Sequence, residues 1–382
     1  MHYKPLPLNP LVPFLLAAVM VRIALLYLQL DGLEAIRMPD EQSYHYYACL
    51  VYEQLTTHGV SGLFHVYIPE PHKGYYFFVG ILFYLFDTTD PFLMYVINAL
   101  LFFVSLIFVY RIILFLTEDA TLSKLVVCFV SVSPEFYQPS VVNGKDMLVF
   151  FISMWVIDAL LNRRLLFSAI LLVTLVPLRF YFVPLLAIFW IYHIRFRGGG
   201  RQWLILLGFG VAMMAMNDLL NNNLVRLFSP ATITFTFEKR TTTGVAGLFD
   251  PLSPGSWVYL PIMVVRTYLS PLFWKASAFR EYFSSYFLIK QMLFPFAIPG
   301  VISLYRGITG EKRRFFKLLL WFVLAVGVLY ALFTLQSAAR HRYIIEPFLY
   351  LFMIHGFFAV MHGLGMNGSG STPGLQKSED SG

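Results

Sequence analysis

The chain has 382 residues and a net charge of +7, and 58% of it is hydrophobic, 18% aromatic and only 13% charged. A soluble domain lacks the interior to hide that much apolar surface, so composition excludes that class. The basic excess does not point to nucleic acid either, because most Lys and Arg fall in short segments between apolar runs, where they orient a membrane protein.

In chain order, residues 1–10 precede an apolar run at 11–30 with no small-residue cleavage site behind it, which predicts a first membrane span rather than a removed signal. Further apolar runs at 91–114, 122–139, 146–161, 165–178, 180–194, 203–217, 287–305, 316–336 and 343–363 bring the expectation to about ten crossings. Residues 75–86 are too few to span and are read as a partly embedded, in-plane helix; 258–273 is read the same way. The predicted class is an all-α polytopic membrane protein of about ten transmembrane helices with in-plane interfacial helices. Residues 1–194 are expected to form one module and 195–363 a second, with 364–382 a disordered cytoplasmic tail. A short alternating stretch at 232–237 reads as a strand. Cys49 and Cys128 read as packing residues.

Span parity and the positive-inside rule support one another. The segments expected inside are the N-terminus with Lys4, residues 111–124, the run Asn162-Arg163-Arg164, 195–201 and 306–314, which hold most of the basic charge. Counting 75–86 as a crossing would move every later basic cluster outside. The outer face then carries the long first loop 31–74, the 134–145 turn, Arg179, a loop at 217–257 and Arg340-His341-Arg342. Connections that long are uncommon without a function, so the working surface is expected outside.

Chemistry-bearing residues are concentrated there. Asp40 and Glu41 open an aromatic-rich helix containing Tyr44; carboxylates suit a first helical turn, and beside a membrane interface the same pair supplies a general base. Glu70, His72 and Lys73 precede the in-plane helix, where Lys73 either snorkels or meets a lipid-linked phosphate. Lys145 and Asp146 stand at the mouth of an apolar helix, where charge is costly. Arg179 and the Arg340, His341, Arg342 run are basic positions on the face where basic charge is not expected. His58, His65 and His72 are evenly spaced, yet lack a helical period or a cysteine partner and do not predict a metal site.

These residues resemble the GT-C glycosyltransferases that use polyprenyl-phosphate sugars, in the branch of protein O-mannosyltransferases, aminoarabinose transferases and bacterial surface-polysaccharide enzymes. Asp40-Glu41 with Tyr44 and Ala48 is similar to that branch's acidic first-loop motif, and His72-Lys73-Gly74-Tyr75-Tyr76 to its lysine-led interfacial segment. Pro134 with Lys145-Asp146 resembles its second outer loop, and Arg342-Tyr343 through Pro347 the start of a late helix. Gly74 stands where the family usually has proline, and Glu70 lies three positions before Lys73 rather than beside it.

The resemblance implies inverting glycosyl transfer from a polyprenyl-phosphate-linked sugar to a glycan, lipid or protein acceptor, on the periplasmic face of a bacterial inner membrane. Asp40 is implied as base, with Glu41 and Asp146 orienting the acceptor or holding a divalent cation, Mg or Mn. Lys73, Lys145, Arg179, Arg340 and Arg342 are implied to neutralise the departing phosphate, and Tyr44, Glu70 and His341 to contact substrate. Two rivals stand beside this reading. One is a polysaccharide polymerase or ligase using lipid-diphosphate oligosaccharides, for which His341 between two arginines speaks. The other is a lipid-linked sugar flippase, against which the inner face offers no matching charged site and no inverted repeat is visible.

Overall fold

The computed structural model describes residues 40–68, 73–179, 183, 185–187, 189–190, 254–269, 281–333 and 343–363. The expected spans at 11–30 and 203–217, the strand at 232–237, most of the 217–257 loop and the tail lie outside the described residues. Within them every regular element is helical: α1 (Glu41–His58), α2 (Lys73–Phe86), α3 (Phe92–Thr117), α4 (Ala120–Val132), α5 (Pro134–Val141), α6 (Asp146–Leu161), α7 (Leu165–Arg179), α8 (Leu260–Leu269), α9 (Glu281–Leu293), α10 (Ala297–Gly307), α11 (Gly310–Phe333) and α12 (Glu346–Gly363). Short 3-10 turns follow α1, precede α8 and join α9 to α10.

Local chemistry explains the boundaries. Asp119 caps α4, its carboxylate accepting from the Thr121 and Leu122 backbone N–H groups at 2.8 and 3.0 Å. Glu118, just before it, takes a left-handed conformation that ends α3, and Arg163 does the same between α6 and α7. The run expected to cross at 122–139 is two helices, because Ser133 is extended and Pro134 starts a new helix at its first position. The run at 287–305 is likewise interrupted by the 3-10 turn Phe294–Phe296, which contains Pro295.

Helix α1 buries one stripe, Glu41, Tyr44, Ala48, Val51 and Leu55, and lays it on α2. The two run side by side in the same direction: Tyr44 meets Tyr75 and Tyr76, a Cβ on Gly80 would strike Val51 and the Ala48 carbonyl, and the Tyr52 hydroxyl donates to Asp87 at 3.0 Å. Gly74 closes the other side against Pro177 of α7. The C-terminal end of α2 leaves Tyr84, Leu85 and Phe86 exposed.

The core is built from helices apolar on every side. In α6 almost every residue from Asp146 to Leu160 is buried, between α3 and α7, and in α12 the first half is buried all round, against α4 and α10. Helices α10 and α12 touch backbone to backbone: a Cβ at Gly300 would fall 1.8 Å from the Phe352 carbonyl oxygen, and one at Gly356 would fall 1.9 Å from that of Phe296. Such small-residue crossings suit helix packing in lipid, where close van der Waals contact replaces a hydrophobic drive.

Two helical stretches, Phe92–Thr117 and Ser285–Gly307, are long and apolar enough to cross a membrane, and 73–86, 120–132, 165–179 and 257–269 form shorter apolar helices.

Candidate functional site

Four elements meet at the Asn143-Gly144-Lys145-Asp146 turn between α5 and α6: the start of α1, the start of α2, α3 and the end of α7. Glu41, in the first turn of α1, is buried, and its Oε1 accepts the Asn143 backbone N–H at 3.2 Å. Tyr75 of α2 donates its hydroxyl to Asn143 Oδ1 at 2.8 Å. Burial pushes that phenol well above its ordinary range, so it stays a donor. From α3, Asn98 donates through Nδ2 to the carbonyls of Val142 at 2.6 Å and Gly144 at 3.2 Å, so the turn is held from three sides.

The charged groups of the turn sit in this frame. Lys145 is 6% exposed, with its ammonium 5.6 Å from the centre of the Tyr44 ring. Asp146, fully buried, pairs with Arg179 Nη2 and also accepts the Tyr343 hydroxyl at 3.0 Å. The Arg179 guanidinium lies 5.9 Å from the Tyr343 ring centre, a cation–π contact in a dry setting. Among the described residues, Glu41 Oε2, Asn143 Nδ2 and Asn98 Oδ1 are buried with no hydrogen-bond partner. Left that way they carry a desolvation cost, so this small region retains both acceptor and donor capacity.

A second buried cluster lies nearby. Lys290 of α9 reaches both oxygens of Glu135 at 2.8 and 3.0 Å and both of Glu346 at 2.9 and 2.8 Å. Tyr350 donates to Glu135 at 3.3 Å, and the Lys290 ammonium lies 5.5 Å from its ring centre. All three charged side chains are under a tenth exposed.

Of the residues expected to act, Glu41, Tyr44, Lys145, Asp146 and Arg179 belong to the first cluster. Asp40 directly precedes Glu41 at the cap of α1 and is partly exposed, and Lys73 is the partly exposed first residue of α2. Glu70, Arg340, His341 and Arg342 lie outside the described residues. Tyr343, next to Arg342, is inside the cluster.

The chain matches no family model, no curated protein and no solved structure.

Among the described residues there is no group of three or more His, Cys, Asp or Glu side chains set to hold a metal. Asp146 is engaged by Arg179 and Tyr343, Glu41 Oε1 by the Asn143 N–H, and Lys145 stands in the same cluster. These donors fit a divalent cation poorly. Sequence reasoning misses Tyr75, Asn98, Asn143 and Tyr343 as members of the site, and the Lys290 cluster altogether. The available signals are the isolated polar residues Asn98 and Lys290 inside apolar helices.

Proposed function

We propose that this chain is an integral membrane glycosyltransferase that moves a sugar from a polyprenyl-phosphate carrier to an acceptor on the outer, periplasmic face of a membrane it crosses about ten times. The observation that carries the reading is the convergence of Glu41, Tyr44, Lys145, Asp146 and Arg179, from three separate stretches of sequence, into one buried cluster next to Asp40. Acids, cations and tyrosines in that mixture suit a phosphate leaving group and a hydroxyl acceptor better than either alone.

In the proposed step Asp40 takes the proton of the acceptor hydroxyl as that oxygen attacks the anomeric carbon. The bond from that carbon to the carrier's phosphate oxygen breaks, its electron pair leaves with the phosphate, and configuration inverts. Lys145, with Lys73 at the head of α2 and Arg340 and Arg342 just before Tyr343, neutralises the departing phosphate. Arg179 is oriented by Asp146, and Glu41 positions the Asn143 turn that carries Lys145. Tyr44, Glu70 and His341 are assigned to the sugar or the acceptor.

A transfer assay with a polyprenyl-phosphate sugar, run beside a donor-binding measurement, tests the roles. Asp40→Asn is expected to bind donor normally and to lose transfer by roughly 10²–10⁴-fold, the range for a positioned general base. Lys145→Ala is expected to weaken donor binding instead. Transfer at the parental rate by Asp40→Asn would remove the base assignment.

Sidedness has its own test. In a background lacking Cys49 and Cys128, a cysteine at position 40 is expected to react with an impermeant reagent in intact cells, and one at position 313 only after lysis. Labelling of position 313 from outside would overturn the topology.

A further inference from the structure

The α10–α11 hairpin carries a charged feature that the proposed reaction does not use. Ile308 and Thr309 join the two helices, and Gly310 at φ +58° makes the turn. Two cations of α11, four residues apart, converge on one ring of α10: Arg313 lies 5.1 Å and Lys317 5.5 Å from the centre of Tyr305. Like charges at that helical spacing repel, so the pair is poised for an anion. Nearby acids have other partners: Glu311 pairs with Arg163 and Glu118 with Lys312. Among the described residues no carboxylate is paired with Arg306, Arg313 or Lys317.

Below the cations the surface turns apolar in register. On α10, Ile298 and Ile302 precede Tyr305 on one face and are 71% and 47% exposed. On α11, Trp321 lies one turn after Lys317 and is 68% exposed. Tyr305 also lies near the end of Ser285–Gly307, a stretch long and apolar enough to cross a bilayer, which puts the ring at headgroup depth if that stretch spans. On each helix the cationic head therefore gives way to exposed apolar side chains.

We propose that this end of the hairpin binds an anionic phospholipid, its phosphate held between Arg313 and Lys317 beside the Tyr305 ring, with one acyl chain following Trp321 along α11 and the other Ile302 and Ile298 along α10. The shape and the charge order match one amphiphile: negative at the top, hydrocarbon below. The inference needs only that Ser285–Gly307 crosses a bilayer, and it stands or falls separately from the transferase reading.

Trp321 supplies the probe, because bromine on an acyl chain quenches a tryptophan that it touches. The purified full chain in neutral detergent micelles is titrated with brominated phosphatidylglycerol and with brominated phosphatidylcholine. The quenching that disappears in Trp321→Phe is the signal of the site. Half-quenching by phosphatidylglycerol is expected at a concentration roughly tenfold lower than by phosphatidylcholine. The Arg313→Gln/Lys317→Gln double variant is expected to abolish that preference, and Arg164→Gln, at an exposed basic residue of another turn, to keep it. Equal quenching by the two lipids, or an equal loss in Arg164→Gln, would overturn the proposal. Displacement of phosphatidylglycerol by inorganic phosphate at matching concentration would overturn it in favour of a free-anion site.

Discussion

The two buried polar clusters handle charge in opposite ways. Around Lys290 one ammonium is wrapped by four carboxylate oxygens, all within 3.0 Å, and a tyrosine hydroxyl adds to one of them. Around the Asn143 turn, Asp146 is similarly engaged, yet among the described residues Glu41 Oε2, Asn143 Nδ2 and Asn98 Oδ1 have no hydrogen-bond partner. A closed network rigidifies the helices it joins, here α5, α9 and α12, whereas an open one retains chemistry for something that arrives later. The contrast separates a structural staple from a site, although both are built from the same residue types.

The sharpest way to break that distinction is Lys290→Met. Removing the shared cation leaves Glu135 and Glu346 facing one another in the interior, and losing one partner of a buried ion pair costs about 3–5 kcal/mol. The variant is expected to lose most of its folded yield, and a melting curve in detergent checks it. A parental melting temperature would mean that the cluster holds nothing together. Next in size is Glu346→Gln, which replaces a charged acceptor with an amide whose N–H₂ group faces an ammonium. A loss of about 1.5–3 kcal/mol is expected, in the range for hydrogen bonds to charged groups, read by the same melting curve. The smallest effect on stability is expected from Glu41→Gln, below about 1 kcal/mol, since the amide oxygen can still accept the Asn143 N–H and its N–H₂ lies in a region that is not saturated. If Glu41→Gln and Glu346→Gln shift the melting temperature equally, the division into staple and site fails.

Much of the helix layout is legible in the sequence. Residues 146–161 form a helix with the bounds expected, because Lys145 and Asp146 stop the apolar run on one side and Asn162-Arg163-Arg164 on the other. Lys73–Phe86 is a helix of 14 residues, too short to cross, as its length of apolar sequence suggests. The break at Ser133-Pro134 is missed because the apolar residues on either side hide it, although the proline is a direct signal against a continuous helix. At the site, Glu41, Lys145, Asp146 and Arg179 stand out as charges next to apolar helices. Their pairing does not, since Arg179 meets Asp146 across 33 residues and Glu41 meets the Asn143 backbone across 102. Lys290 hides inside an apolar stretch, and its two partners are 155 and 56 residues away, a distance over which periodicity carries no information.

The glycine crossing of α10 and α12 has a mechanical consequence. The α9–α10 stretch runs along α12 in the same direction, as the Lys290–Glu346 contact in α9 and the Gly300–Gly356 approach in α10 show. With carbonyl oxygens seated where a methyl group would not fit, neither helix can slip along the other without a collision, because packed interiors transmit strain rather than absorb it. The pair behaves as one stiff strut. Its near end begins just after Tyr343, which is bonded to Asp146, and its far end reaches the hairpin turn at Gly307. A tilt applied at that turn is therefore carried along the strut toward Tyr343 and its hydrogen bond to Asp146.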